Sequence, residues 1–183
     1  MTISESGRNR PDPQNEEISA ADMTHLRRCV ELAQEAWHAG DFPFGSVLVA
    51  SDGTVLAEER NREVTTADET RHPEFELARW AAAHLTAQER RDATVYTSGE
   101  HCPMCAAAHA WVGLGRIVYA ASSEQLASWR AGMGIAPSPV KPLPITAIAP
   151  GVIVAGPVPE LEEPMRELHH RIRRSSFQSG QEQ

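Results

Sequence analysis

Two short stretches, His72-Pro73-Glu74 and Cys102-Pro103-Met104-Cys105, constrain this chain more than any other feature. One imidazole and two thiols suit a zinc ion that keeps its fourth position open for water. Any fold the chain adopts must therefore bring these two distant segments together. Glu74 follows the histidine by two residues, close enough to the metal to move protons without binding it. A Cys-x-x-Cys pair alone reads equally well as a redox motif or a structural-zinc fragment. Joined to His-x-Glu in this order, it points to a zinc centre that does chemistry. Each motif carries a proline where a helix would begin, the position at which the missing N–H costs nothing. A helix N-terminus favours thiolate over thiol, so cysteines in a first turn are well disposed to bind the metal. Zinc lowers the pKa of a bound water to roughly 7, and Glu74 can take the released proton and pass it on. A closed site with His101 or His109 as fourth ligand would leave Glu74 without a purpose. His101 directly precedes a ligand and is badly placed to join the same ion. His109, one helical turn after Cys105, could face the metal or simply pack.

The chain has 183 residues, 41% hydrophobic and 23% charged, which is the composition of one ordinary globular domain with a proper core. We expect one α/β domain over 18–175, a polar lead over 1–17 and a polar tail over 176–183. With three cysteines, a disulfide framework is not expected, and Cys29 reads as a buried free thiol beside the apolar stripe of a helix. No apolar run reaches membrane-spanning length, and MTISESGRNRPDPQNEE lacks the apolar centre of a signal peptide, so the expected compartment is the cytoplasm. The net charge of −8 weighs against a nucleic-acid partner, which leans on Lys and Arg to neutralise phosphates. The stretch best suited to RNA is Arg166, His169, His170, Arg171, Arg173 and Arg174, but cations near a helix C-terminus are also what its dipole favours.

Ser19 can cap a helix reaching about His38, with Met23, Leu26, Val30, Ala33 and Trp37 on its apolar face. Residues 44–50 read as a strand, Ser51 to Thr54 as a hairpin turn, and Val55 to about Glu59 as the return strand. Asn61 to Arg71 reads as a loop. A helix from Pro73 carries Phe75, Ala78, Trp80, Ala81 and Leu85, and a strand follows at 93–97. The next helix starts at the cysteines. A strand at 116–120 leads to a helix capped by Ser122, with Leu126 and Trp129 facing in. A proline-rich loop spans 132–144, one or two short strands lie within 145–158, and a last helix at about 159–174 turns Leu161, Met165, Leu168 and Ile172 to one face. This order points to one sheet with helices on both faces.

Several segments together resemble a known family. They are Asp41 to Val49, Asn61, His72-x-Glu74, Thr97-x-x-Glu100-x-Cys102-Pro103-Met104-Cys105 and Gly115 to Tyr119. They look like the cytidine/deoxycytidylate deaminase superfamily, in the branch with guanine deaminases, fungal-type cytosine deaminases and bacterial tRNA adenosine deaminases, whose signature is His-x-Glu … Pro-Cys-x-x-Cys. The resemblance covers about residues 20–130. It implies a three-layer α/β/α sandwich with a mixed five-stranded sheet, one Zn2+ per chain held by His72, Cys102 and Cys105, and a homodimer. It makes Glu74 the catalytic acid/base, Asn61 a hydrogen-bonding reader of the base, and Phe44 a wall of the pocket. The implied reaction is hydrolytic removal of an amino group from a base or nucleoside, with a purine favoured by the Pro43-Phe44-Gly45 stretch, and release of ammonia. Action on a tRNA adenosine and a non-catalytic zinc-stabilised binding role are the alternatives. The chain departs from the family at His101, normally proline, and at Pro73, normally a small residue. The resemblance also implies that the N–H of residue 73 points into the site. Pro73 has none, so a donor is missing and His101 is the nearest substitute in sequence.

Overall fold

The structure, a computed structural model, describes residues 17–178, with side chains described as far as Arg171. The expected polar lead (all but Glu17), the end of the expected tail, and the side chains of Ile172, Arg173 and Arg174 lie outside the described residues. Five strands form one mixed sheet in the order β2-β1-β3-β4-β5. They are β1 (Gly45–Val49), β2 (Val55–Arg60), β3 (Thr94–Gly99), β4 (Arg116–Ala121) and β5 (Val154–Ala155). β1 runs antiparallel to both β2 and β3, whereas β3, β4 and β5 are parallel. Helices α1 (Ala20–His38), α6 (Ser123–Gly132) and α8 (Pro159–Gln178) cover one face. Helices α3 (Pro73–His84), α5 (Pro103–Val112) and α7 (Ile145–Ile148) cover the other, giving the three-layer α/β/α sandwich.

Alternation along the strands builds both halves of the core. Val47, Val49, Tyr96 and Val118 meet Leu26, Val30 and Ala33 of α1, together with Met165 and Leu168 of α8. Leu48 and Val95 meet Leu77, Ala78 and Ala81 of α3. Every residue of β1 is buried, as an inner strand covered on both faces requires. α1 lies so close to β1 that a Cβ at Gly45 would sit 2.6 Å from the Cys29 carbonyl oxygen. Cys29 itself is fully buried as a free thiol.

Asp22 fastens α1 to the sheet. It closes a capping box with Ser19 at the helix start. Its Oδ1 also accepts from the Tyr96 hydroxyl at 2.8 Å and from Arg116 at 2.7 Å. Burial alone would raise this carboxyl, but Arg116, Ser19 and Tyr96 hold it at about 2. Its folded pKa thus lies below the unfolded value of about 3.9. The stability it contributes is complete above that value and is lost as the pH falls from about 4 toward 2. Asp22→Asn should lower the unfolding free energy at pH 7 by about 2 kcal/mol in urea titrations, the worth of hydrogen bonds to a buried charge. The gap to the parent protein should narrow on acidification; a pH-independent gap would assign the loss to packing instead.

Three elements differ from expectation. Ile145–Ile148 is a turn of helix, not a strand. A short apolar run suits either state, and here Glu100 Oε1 accepts the Ile145 N–H at 2.9 Å, pinning the helix start. α2 (Glu63–Thr66) interrupts the expected loop at 61–71. α4 (Ala87–Asp92) was not expected, although Thr86 and Glu89 form a legible capping box. On α3 Leu77 is fully buried together with the expected Ala78 and Ala81, while Trp80 stacks on His84 nearer the surface. No helix among the described residues is long and apolar enough to cross a membrane.

Candidate active site

The parallel strand β3 ends at Gly99, and three residues later Cys102 caps α5, with Pro103 in its first turn and Cys105 just behind. His72 caps α3 in the same way, ahead of Pro73. Two helix N-termini therefore converge at the carboxyl end of the sheet's central strand, the edge where open α/β sheets bind ligands. His72 Nδ1 lies 3.6 Å from Cys102 Sγ and 3.5 Å from Cys105 Sγ, and the two sulfurs are 3.5 Å apart. Zn–S bonds of about 2.3 Å and a Zn–N bond of about 2.0 Å at tetrahedral angles would set the S–S edge at roughly 3.8 Å and the S–N edges at roughly 3.5 Å. The donor set fits a zinc ion with only a small relaxation. Among the described residues, this is the cluster of ligand atoms able to hold a metal.

The electrostatics agree. The Cys105 thiol hydrogen-bonds to Cys102, and the His72 ring adds to this, so Cys102 is held down at about 4 and is a thiolate at neutral pH. Cys105 is pushed up by that same bond and by burial. Burial would lower His72, but its bond to Cys102 and the charge of Glu74 raise it to about 9. Without a metal, the Cys102 thiolate and the His72 ring thus pair as opposite charges at neutral pH.

Glu74, in the first turn of α3, is 5% exposed. Its Oε1 accepts from Thr97 Oγ1 at 2.8 Å, and its Oε2 lies 3.7 Å from Cys105 Sγ. Thr97 in turn accepts from Ser46 Oγ at 2.9 Å. One carboxylate oxygen is thus anchored to the sheet and the other is turned to the cysteines. Burial pushes this carboxyl up, against the opposing charge of His72.

Asn61 is fully buried, with its N–H bonded to the Phe44 carbonyl at 2.9 Å. Phe44 packs over Gly99, where a Cβ would approach its ring to 3.0 Å, and against the His169 ring at 5.0 Å. Pro73 is buried at the start of α3. His101 is 1% exposed rather than solvent-facing, its ring edge-on to His109 at 5.4 Å, and neither nitrogen has a partner in the protein. Burial keeps it neutral, well below the ordinary histidine range. His109 packs instead of facing the metal cluster, with Nε2 2.9 Å from the Gly115 carbonyl.

Three residues without a role in the sequence reading also shape the site. Asp41 accepts the N–H groups of Val64 and Thr65 and ion-pairs with Arg60, folding the chain around Asn61. Glu63 touches both Asn61 and His72. Glu100 ties α6 and α7 to the end of β3 through the N–H groups of Ser123 and Ile145. Asp41 and Glu100 lie in the segments that carry the resemblance, but their roles, like that of Glu63, depend on partners brought close only by the fold. In the basic stretch, His169 is buried against Phe44 and Trp129, Arg166 pairs with Glu163, and Arg171 lies over Trp37.

Residues 19–121 match the family model described as the cytidine and deoxycytidylate deaminase zinc-binding region. The chain belongs to this deaminase family. A probable cytosine deaminase of Schizosaccharomyces pombe is 35% identical over 113 residues, 60% of this chain and 66% of that protein. The guanine deaminase of Bacillus subtilis is 41% identical over 105 residues, 57% of this chain and 67% of its own length. The chain therefore spans about two thirds of these relatives. Among solved structures, the Bacillus subtilis guanine deaminase superposes with a TM-score of 0.51 at 34% identity, covering 67% of this chain and 82% of that one. The guanine deaminase from Nitrosomonas europaea, at 20% identity, shares the fold with a TM-score of 0.64 over 88% of this chain and 90% of its own.

Proposed function

We propose that this deaminase-family chain is a zinc-dependent hydrolytic deaminase of a free base or nucleoside, with a purine favoured over a pyrimidine. The observation that carries the reading is Glu74, a buried carboxylate with one oxygen anchored by Thr97 and the other facing the His72–Cys102–Cys105 cluster. His72, Cys102 and Cys105 would hold the zinc, which supplies the Lewis acidity that makes water a nucleophile near neutral pH. Glu74 takes one proton of the attacking water at Oε2 and delivers it to the ring nitrogen of the base; it then takes the second proton of that oxygen and gives it to the departing amino group, which leaves as ammonia. Asn61 reads the base. Its Oδ1 and Nδ2 each make one bond to Glu63, which leaves one donor and one acceptor position of the amide for a ring N–H and carbonyl. Phe44 provides an apolar wall beside Gly99, and Pro73 offers the substrate no backbone donor.

The purine preference rests on the Pro43-Phe44-Gly45 stretch and on the 41% identity to a guanine deaminase. A tRNA-specific adenosine deaminase of Haemophilus influenzae is also a relative, at 32% identity. The net charge of −8 and the burial of His169 against Phe44 and Trp129 favour the small substrate, however. We further infer a homodimer, with Trp111 on α5, 87% exposed, as an apolar side chain available to the second copy. An ammonia-release screen over guanine, cytosine, their nucleosides and tRNA, with zinc analysis of the same sample, tests the reading. Turnover of a free purine or its nucleoside is expected. Turnover of tRNA alone would replace the small substrate, and no ammonia from any member at full zinc loading would remove the enzymatic reading.

A further inference from the structure

His72 has two ring nitrogens, and both are directed. Nδ1 faces the two cysteine sulfurs, while Nε2 lies 3.3 Å from Glu63 Oε1. That same oxygen accepts from Asn61 Nδ2 at 2.5 Å, and the Glu63 backbone N–H donates to Asn61 Oδ1 at 3.0 Å. Glu63 is no loose surface carboxylate. Its side chain is 17% exposed, and it opens α2, whose next two N–H groups are held by the buried Asp41 at 3.0 and 2.8 Å. An imidazole binds a metal through its unprotonated nitrogen, and an acceptor on the other nitrogen fixes both tautomer and ring plane.

We propose that Glu63 is a positioning residue that orients the ring of His72 and the amide of Asn61 through one shared oxygen, so that the grip on metal and the grip on substrate depend on the same carboxylate. This rests on the deaminase reading above for the role of Asn61, but not for its effect on the metal. Without Glu63, the His72 ring would turn freely and could present the wrong tautomer to the cysteines. The Asn61 amide would lose the bond from its Nδ2, one of the two that hold it, and keep only the one from the backbone N–H of residue 63.

The test uses Glu63→Ala and Glu63→Gln in the full chain, with zinc affinity read by competition against a chromogenic chelator and KM read on the base identified by the ammonia screen. Glu63→Ala should weaken zinc binding roughly 10- to 100-fold, the range found for such outer partners of metal ligands. It should also raise KM more than it lowers kcat. Glu63→Gln keeps an acceptor oxygen in place and should recover most of the zinc affinity, which a general loss of folding would not permit. Parent-like zinc affinity in Glu63→Ala would overturn the proposal even if the protein deaminates. The chelator competition needs no turnover, so a failed ammonia screen leaves the metal half of the proposal decided on its own data.

Discussion

Cys102→Ala should leave the protein with far less than one zinc per chain after dialysis, and without activity. Cys102 is the thiolate of the cluster, held at about 4 by the Cys105 thiol and the His72 ring. It sits at the cap of α5, where the helix dipole also favours negative charge. Zinc sites bind with about 10–16 kcal/mol in total, so a third of that, about 3–5 kcal/mol, is about two to four powers of ten in affinity. Zinc must displace a proton from His72, whose pKa is about 9 beside the thiolate, so uptake should weaken further as the pH falls. Metal analysis of the dialysed variant decides the matter, with a melting curve to show that the fold survives. Full zinc in Cys102→Ala would mean that the ligands are wrongly assigned.

Glu74→Gln should do the opposite, keeping the zinc and losing the rate. Glutamine preserves the shape of the side chain and an Oε1 that can accept from Thr97, so the start of α3 is undisturbed. What it loses is the ability to take up and return a proton, worth about two to four powers of ten. A drop of that size in kcat at unchanged zinc content would place Glu74 in proton transfer. Activity within a few-fold of the parent would assign that work to another group. The pair of variants separates binding the metal from using it, which neither does alone.

The sequence by itself carried the centre of this protein. His72 and Glu74 share one helix start, as do Cys102 and Cys105, and a proline marks each start. Such features are written within a few residues, because helix geometry converts short spacing directly into shared orientation. The inner strands were legible for the same reason, since residues such as Val47, Leu48 and Val49 need cover on both faces. Only the tertiary structure decided what lies around that centre. Ile145 to Ile148 became helical with the Ile145 N–H donating to Glu100, 45 positions earlier. Asp22 found Arg116 across 94 positions, and Asp41 found Thr65 across 24. Glu63 is as plain in sequence as Glu58, which pairs with Arg28 at the surface, yet it reaches His72 and Asn61. His101 and His169 were equally unreadable, and the fold buried both rings. A polar side chain looks the same in sequence whether water or a distant residue will meet it. Its partner is chosen only when the layers pack, because desolvation then leaves each buried donor and acceptor to be satisfied by whatever the fold has brought within reach.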